Sequence, residues 1–161
     1  MRARTRQSGV TLIEMLVVVS IIAVMVGLAI PSFSAGLDGL RLRSASSTVA
    51  SALNIAINTA DRRQVPVQIL IQPRLNKVIL RPAESNHDQT FDIPQGVRVR
   101  RILPSLFLNE EQNDRYLIVY PNGAPPQLIV ELQSPRGSIR QIRLDPITGV
   151  AKVTDRPANA S

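Results

Sequence analysis

The amino-acid sequence predicts an α+β fold in which a long N-terminal helix packs on antiparallel β-sheets. Three features support this prediction. An aliphatic run covers residues 10–30, a weaker apolar stripe with helical spacing continues through residues 31–64, and residues 65–161 change to the alternation of β-strands. Together with the basic residues 1–9, these make four predicted segments. The residues after the helix are enough for one modest core.

The run over residues 10–30 has the length of a membrane-spanning helix. At 1.5 Å per residue it rises about 31 Å, close to the hydrocarbon thickness of a bilayer. Three arginines precede it: Arg2, Arg4 and Arg6. The positive-inside rule then predicts a cytoplasmic N-terminus and a head on the far side of the membrane. A secretory signal peptide would be shorter and would end in a small-x-small site. A plain single-pass anchor would explain neither Glu14 nor Gly9.

The stretch Ser8-Gly9-Val10-Thr11-Leu12-Ile13-Glu14 resembles the class III signal of type IV pilins and type II secretion pseudopilins. In that family a prepilin peptidase removes a short basic leader after a Gly, and the new terminal residue is N-methylated. The resemblance implies cleavage between Gly9 and Val10, methylation of Val10, and a role in subunit assembly for Glu14. Val10 departs from the phenylalanine that is commonest at this position.

Glu14 is the feature of the apolar run that most needs an explanation. An unpaired carboxylate near hydrocarbon is costly, and intramembrane acids are functional candidates. After cleavage Glu14 would lie about one turn into the helix, where free N–H groups and the helix dipole favour an anion. The resemblance implies that a neighbouring subunit's new α-amino group pairs with it in a filament. The alternative is a glutamate tolerated at the membrane edge.

Residues 31–64 are predicted to continue the helix as an amphipathic segment. Apolar residues recur there at spacings of three or four: Leu42, Ala45, Val49, Leu53, Ala56 and Ala60. This alanine-rich stripe suits close packing against a sheet, and the helix is expected to end near Arg63. Pro31 either kinks one continuous stalk or begins a separate helix behind a glycine-rich hinge, and the sequence favours neither.

Residues 65–161 are predicted to form a β-rich head. The alternating patterns predict short strands over residues 65–71, 77–81, 97–100, 116–120, 128–132, 139–144 and 150–153. Turn-forming sequences separate several of them, among them Pro121-Asn-Gly123 and Asp145-Pro-Ile-Thr-Gly149. Residues 83–90 are predicted to be a surface loop, and residues 104–115 a second loop or a short helical excursion.

The head extends the resemblance. The segments Tyr116–Gly123 and Ile142–Val153 are similar to the strand-turn and closing hairpin of H-type minor pseudopilins and of FimT/FimU-type minor pilins. The resemblance therefore implies a pilin-like fold. A G-type major pseudopilin would carry an acidic calcium-binding loop near its end, for which Asp145 and Asp155 are too sparse.

No enzymatic chemistry is predicted. The chain has no cysteine, which excludes thiol nucleophiles and thiolate zinc sites, and its one histidine, His87, lies in a polar loop. A small acidic cluster, Glu110, Glu111 and Asp114, reads as a solvated face. Nucleotide-binding and nucleophile-elbow motifs are lacking. We therefore expect no cofactor, no metal, no small-molecule substrate and no catalytic residues.

A formal net charge of +7 raises the question whether the protein binds nucleic acid. Without the three arginines of residues 1–9, 16 basic and 12 acidic residues leave +4, an ordinary surface charge. The strand arginines Arg98, Arg100, Arg140 and Arg143 are the candidate contacts, since some FimT-type pilins bind DNA through arginines near the C-terminus. Stacking aromatics are scarce, and arginines also protect sheet edges from aggregation. The sequence therefore does not favour a nucleic-acid partner.

The sequence is best interpreted as a minor pseudopilin of a type II secretion system. The resemblance implies a single-pass protein of the inner membrane with a periplasmic head, which assembles with other major and minor pseudopilins near the tip of a filament. Its partners would be those subunits, the prepilin peptidase and the membrane. A type IV minor pilin serving pilus assembly or DNA uptake is one alternative. A membrane-anchored domain that never assembles is another.

Overall fold

The computed structural model describes residues 9–85, 87–105 and 113–156, apart from the side chains of residues 28–35 and 156. These residues form one helix, α1, and eight strands. The elements are α1 (Leu12–Arg63), β1 (Val67–Gln72), β2 (Lys77–Pro82), β3 (Gln89–Asp92), β4 (Arg98–Leu103), β5 (Arg115–Val119), β6 (Ile129–Gln133), β7 (Ile139–Leu144) and β8 (Ala151–Arg156). Every strand pairing is antiparallel. The predicted α+β, pilin-like class is confirmed.

The chain divides into two compact units, Met1–Gly36 and Leu37–Ser161. The first contains the N-terminal part of α1. The second contains the remainder of α1 and both sheets, and the whole hydrophobic core lies within it. The four segments predicted from the sequence are not tested by this division and stay predictions.

The membrane span over residues 10–30 stays a prediction from the sequence. Within the part of the chain that the structure describes, no helix is long and apolar enough to cross a membrane. The helix begins at Leu12 rather than Val10.

The part of α1 in the second unit packs through the stripe that the sequence predicts. All six stripe residues are at most 4% exposed: Leu42, Ala45, Val49, Leu53, Ala56 and Ala60. Three of the six are alanines, whose small side chains let the helix backbone approach the sheets closely. The predicted end of the helix at Arg63 is also confirmed.

The first sheet has the strand order β3-β2-β1-β5. Val67, Ile69 and Ile71 of β1 face the core and are fully buried, as alternate residues of a strand share one face. Their partners Leu80 and Val78 of β2 lie on the same core face. The opposite face of this sheet is its outer face.

The second sheet has the order β4-β6-β7-β8. Val130 and Leu132 of β6 and Ile142 of β7 form its core face. The register of β4 on β6 shifts between Val99 and Arg101, so that one extra residue stands in β4. Such a bulge bends and twists an edge strand.

Two turns predicted from the sequence are fixed by side chains. The turn at Pro121-Asn-Gly123 is bound to the end of α1, because the backbone N–H of Asn122 donates to Asp61 Oδ1 at 3.0 Å. Its side-chain amide also donates to Gln64 Oε1 at 3.1 Å. In the turn from Asp145 to Gly149, the N–H of Ile147 donates to Asp145 Oδ1 at 3.0 Å. These bonds replace regular backbone pairing where the chain reverses.

The loop predicted over residues 83–90 is partly wrong, because Gln89 and Thr90 belong to β3. This strand has four residues, three of them exposed, and it pairs with β2 through Val78 and Phe91. It lacks the apolar alternation by which a strand can be identified from sequence. Of the loop predicted over residues 104–115, Arg115 begins β5, and residues 106–112 with Glu110 and Glu111 lie outside the described residues. Arg2, Arg4 and Arg6 lie outside them as well.

Candidate functional site

The helix begins within two residues of the predicted cleavage point. Thr11 caps it: the Thr11 hydroxyl accepts a hydrogen bond from the backbone N–H of Glu14 at 3.3 Å, and the Thr11 carbonyl accepts one from Met15 at 3.2 Å. A threonine or serine hydroxyl in this position satisfies one of the free N–H groups of the first turn. Gly9 and Val10 precede the cap and are exposed, and nothing described lies within 4 Å of a side chain placed at Gly9.

Sequence reasoning singled out Glu14 but missed its relation to Thr11. Thr11 and Glu14 have the spacing of a capping box, in which the residue three positions after the cap is Glu or Gln. The Thr-x-x-Glu pattern directly before the apolar run is the signal that could have predicted the first residue of α1.

The polar side chains of the apolar run differ in how they are satisfied. The Ser20 hydroxyl donates to the Leu16 carbonyl at 2.7 Å, which suits apolar surroundings because the bond stays within the helix. The Glu14 carboxylate, in contrast, makes no hydrogen bond or ion pair with any described residue. It lies in the first turn, where the helix dipole favours a negative charge.

The apolar side chains around Glu14 are exposed on every side of the helix. All residues from Gly9 to Gly27 are exposed, and the large apolar ones range from Val18 at 46% to Leu12 at 84%. Burying one such side chain contributes about 1.5–3 kcal/mol. The segment therefore presents a continuous apolar surface with one carboxylate near its start. This arrangement can bind other apolar helices or lipid and can accept a cation at Glu14.

The four arginines considered for nucleic acid do not form one cluster. Arg98 pairs with Gln133 and Arg143 with Ile129, which places both on the outer face of the second sheet but four residues apart along β6, about 13 Å. Arg140 pairs with Leu132 and so lies on the core-facing side.

Two of these arginines are engaged. Arg98 donates to Gln133 Oε1 at 3.1 Å. Arg140 donates through Nε and Nη2 to the two carboxylate oxygens of Asp155. The hydrogen bond from Arg140 lowers the pKa of Asp155 below its ordinary value. Arg100 is the extra residue of the β4 bulge and is partly buried, whereas Arg143 is exposed.

Glu131 is a buried acid that sequence reasoning did not single out. It lies in the middle of β6 on the outer face and is 0% exposed. Arg101 Nε lies 3.8 Å from Glu131 Oε2, and Gln141 donates to Glu131 Oε1 at 3.4 Å. Both partners come from neighbouring strands, so this group ties β4 and β7 to β6. His87 is exposed, as predicted for a loop residue.

Comparison with known proteins gives two matches. Residues 4–30 match the family model described as the prokaryotic N-terminal methylation motif. Over 97 residues, 60% of this chain, the sequence is 33% identical to type II secretion system protein H of Xanthomonas campestris pv. campestris. The matched region spans about half of that relative's length (54%). No solved structure matches the chain significantly.

Both matches agree with the resemblance drawn from Gly9, Glu14 and the head turns, which is thereby confirmed. The methylation motif covers the predicted cleavage point and most of the apolar run, and it suggests that the N-terminal helix anchors the chain in the inner membrane. The motif and the similarity to protein H together support a type IV pilin-like pseudopilin of the protein H type.

Proposed function

We propose that this chain is a minor pseudopilin of a type II secretion system. The observation that carries the proposal is the methylation motif at residues 4–30, since it coincides with a capped helix whose apolar side chains are exposed on all sides. The similarity to protein H supports secretion over the alternative of a type IV pilus.

The first step is processing. A prepilin peptidase cuts between Gly9 and Val10, and Val10 is then N-methylated. Both residues precede the helix and are exposed, which gives a peptidase an extended substrate. Removal of the leader also removes its arginines and leaves a terminal amino group two residues before α1.

The second step is assembly. The exposed apolar residues of α1 first lie in the inner membrane and then pack against other pseudopilins in a filament. Glu14 pairs with the terminal amino group of a neighbouring subunit. An unpaired carboxylate among apolar helices is penalised by its lost hydration, so only the matched register is stable.

The head has no catalytic part in this proposal. It joins other minor pseudopilins near the tip of the filament, whose growth moves folded proteins across the outer membrane. The protein is not an enzyme, and it needs no cofactor, small-molecule substrate or nucleic acid.

Processing is tested by the intact mass of the protein purified from membranes of cells with an active prepilin peptidase. We expect loss of residues 1–9 and one methyl group on Val10. The Gly9→Val variant should keep the leader, and a Gly27→Ala variant serves as control, because nothing described lies within 4 Å of a side chain at either glycine. A wild-type protein that keeps its leader would contradict the proposal.

Assembly is tested separately with Glu14→Ala, measured by recovery of sheared filaments and by export of a secreted protein. We expect processing to continue while both assembly readouts fall at least about tenfold, as for loss of a desolvated charge pair. Ser20→Ala is the matched control, since the Ser20 hydroxyl bonds only within its own helix. Unchanged filaments and export in Glu14→Ala would contradict the proposed role of Glu14 in assembly but would leave the proposed processing standing.

A further inference from the structure

The first turn of α1 within the second unit has little apolar packing. That unit begins at Leu37, and the first residue of the apolar stripe is Leu42. Leu37 is 38% exposed and Leu40 is 64% exposed, and Gly39 between them is exposed as well. Hydrophobic burial therefore does little to hold residues 37–41 on the sheets.

The sequence of this turn also favours a helix only weakly. Gly36 and Gly39 lie within one turn of each other, and glycine loses more backbone freedom in a helix than any other residue. No described atom lies within 4 Å of a Cβ added at either position, so close packing does not account for these glycines. The turn therefore depends on contacts other than helix propensity and burial.

Asp38 supplies such a contact. Its side chain is 16% exposed, whereas the other residues from Gly36 to Arg41 are all exposed. Asp38 Oδ2 lies 3.3 Å from Arg136 Nε in the turn between β6 and β7. Asp38 Oδ1 lies 3.7 Å from Arg41 Nη1, three residues later in α1. The first ion pair joins the helix to the second sheet, whereas the second stays within the helix.

The turn that carries Arg136 is held by hydrogen bonds of its own. The backbone N–H of Ser134 donates to the Ser138 carbonyl at 2.9 Å, and the Ser138 N–H donates to Ser134 Oγ at 3.1 Å. The N–H of Gly137 donates to the Ser134 carbonyl at 3.0 Å, and its positive φ (88°) is one that glycine adopts without strain. Because this turn is already ordered, pairing with Asp38 costs less conformational entropy than pairing between two mobile segments.

We propose that the Asp38–Arg136 ion pair is a latch that holds residues 37–41 of α1 on the second sheet. When the pair is formed, the helix is fastened to the sheets from Asp38 onward. When the pair is broken, residues 37–41 leave the sheet and lose their helical hydrogen bonds, and the helix is fastened only from Leu42 onward. This conformational device lies within the second unit and does not depend on the proposed function.

A latch made of charges responds to ionic strength. The Arg136 side chain is 46% exposed, so dissolved salt screens its attraction to Asp38. The apolar stripe from Leu42 onward is buried, and its packing does not depend on charge. Raising the salt concentration should therefore loosen residues 37–41 and leave the rest of the helix in this unit unchanged.

Amide hydrogen exchange of the purified full-length chain in detergent tests the latch. We expect Arg136→Gln to speed exchange over residues 37–41 at least about fivefold and to leave residues 42–63 unchanged. Arg41→Gln is the matched control. It removes the other partner of Asp38, but that partner lies on the same helix, so exchange should rise less than about twofold. Asp38→Asn should have at least the effect of Arg136→Gln, and salt should not increase it further.

A double variant separates one shared ion pair from two independent contributions. If Asp38 and Arg136 act through their pair, Asp38→Asn combined with Arg136→Gln should exchange no faster than Asp38→Asn alone. Several results would overturn the proposal: single effects that multiply in the double variant, unchanged exchange of residues 37–41 in Arg136→Gln, an equal effect of Arg41→Gln, or faster exchange throughout the second unit.

Discussion

The two parts of α1 place the same kinds of aliphatic residue in opposite environments. Leu16 in the first unit is 60% exposed, whereas Leu53 in the second is fully buried, although both lie within one helix. Intrinsic helix propensity is equal at these two positions, so it cannot account for the difference. What differs is the partner: the second part has two sheets of its own chain to pack on, and the apolar surface of the first has none among the described residues.

The largest difference between the two parts of α1 is expected when a leucine of each is shortened. Leu53→Ala should lower the free energy of unfolding of the second unit by about 2–5 kcal/mol, because it removes buried methyl groups and leaves a cavity. Leu16→Ala, the same change at an exposed site, should leave that free energy within about 0.5 kcal/mol of wild type. Denaturant titration of both variants measures the contrast. Equal losses would show that Leu16 is buried by its own chain.

A smaller effect is expected where the second unit packs tightly around a backbone turn. Gly149 has φ 68°, and an added Cβ would lie 3.3 Å from Pro125 Cγ and 3.4 Å from Ile57 Cδ1. Gly149→Ala should cost about 1–3 kcal/mol. Gly137→Ala is the matched control, since Gly137 also has positive φ (88°) but no described atom lies within 4 Å of the added Cβ. If both variants lose equal stability, only the backbone conformation matters at Gly149.

In the first unit the largest local effect should come from the helix cap. Thr11→Ala removes the hydroxyl that accepts the Glu14 N–H and should weaken the first turn by about 0.5–2 kcal/mol. Amide hydrogen exchange should quicken at residues 13–15 and remain unchanged in the sheets. Thr11→Ser keeps the acceptor and should retain the protection. Faster exchange throughout the second unit would contradict this local role.

The smallest effect is expected on how the stability of the fold depends on pH. The hydrogen bond from Lys152 and those from the N–H groups of Ile147 and Thr148 hold the pKa of Asp145 well below its ordinary 3.8. A lowered folded-state pKa means that this contribution to stability is present above pH 3.8 and is lost as the pH falls below it. Asp145→Asn should therefore flatten the stability curve in acid, and Lys152→Met should flatten it partly. Unfolding curves at a series of acid pH values test both.

The sequence predicts most of what depends on local pattern. The six residues of the apolar stripe are all buried, and α1 ends at the predicted Arg63, because helical spacing and a following proline segment act over short distances. The motif around Gly9 and Glu14 is equally local. The Thr-x-x-Glu pattern could also have predicted that α1 begins at Leu12.

Features that depend on distant residues could not be predicted. Burial of Glu131 requires Arg101 and Gln141 from two neighbouring strands. The bulge in β4 and the polar edge strand β3 are set by pairing with partners whose register the sequence does not contain. The same holds for Arg140 and Arg143. Their spacing predicts that they lie on opposite faces of one strand, but the sequence does not show which of the two faces meets the core.

The cap at Thr11 has a geometric consequence for the processed chain. If the leader is removed after Gly9, only Val10 and Thr11 separate the new amino group from a rigid helix, a reach of about 7 Å at most. An amino group linked to the helix by only two residues can occupy few positions relative to that helix. If that amino group pairs with Glu14 of a neighbouring subunit, as proposed above, the fixed distance between a subunit's own amino group and its own Glu14 would determine the axial step from one subunit to the next.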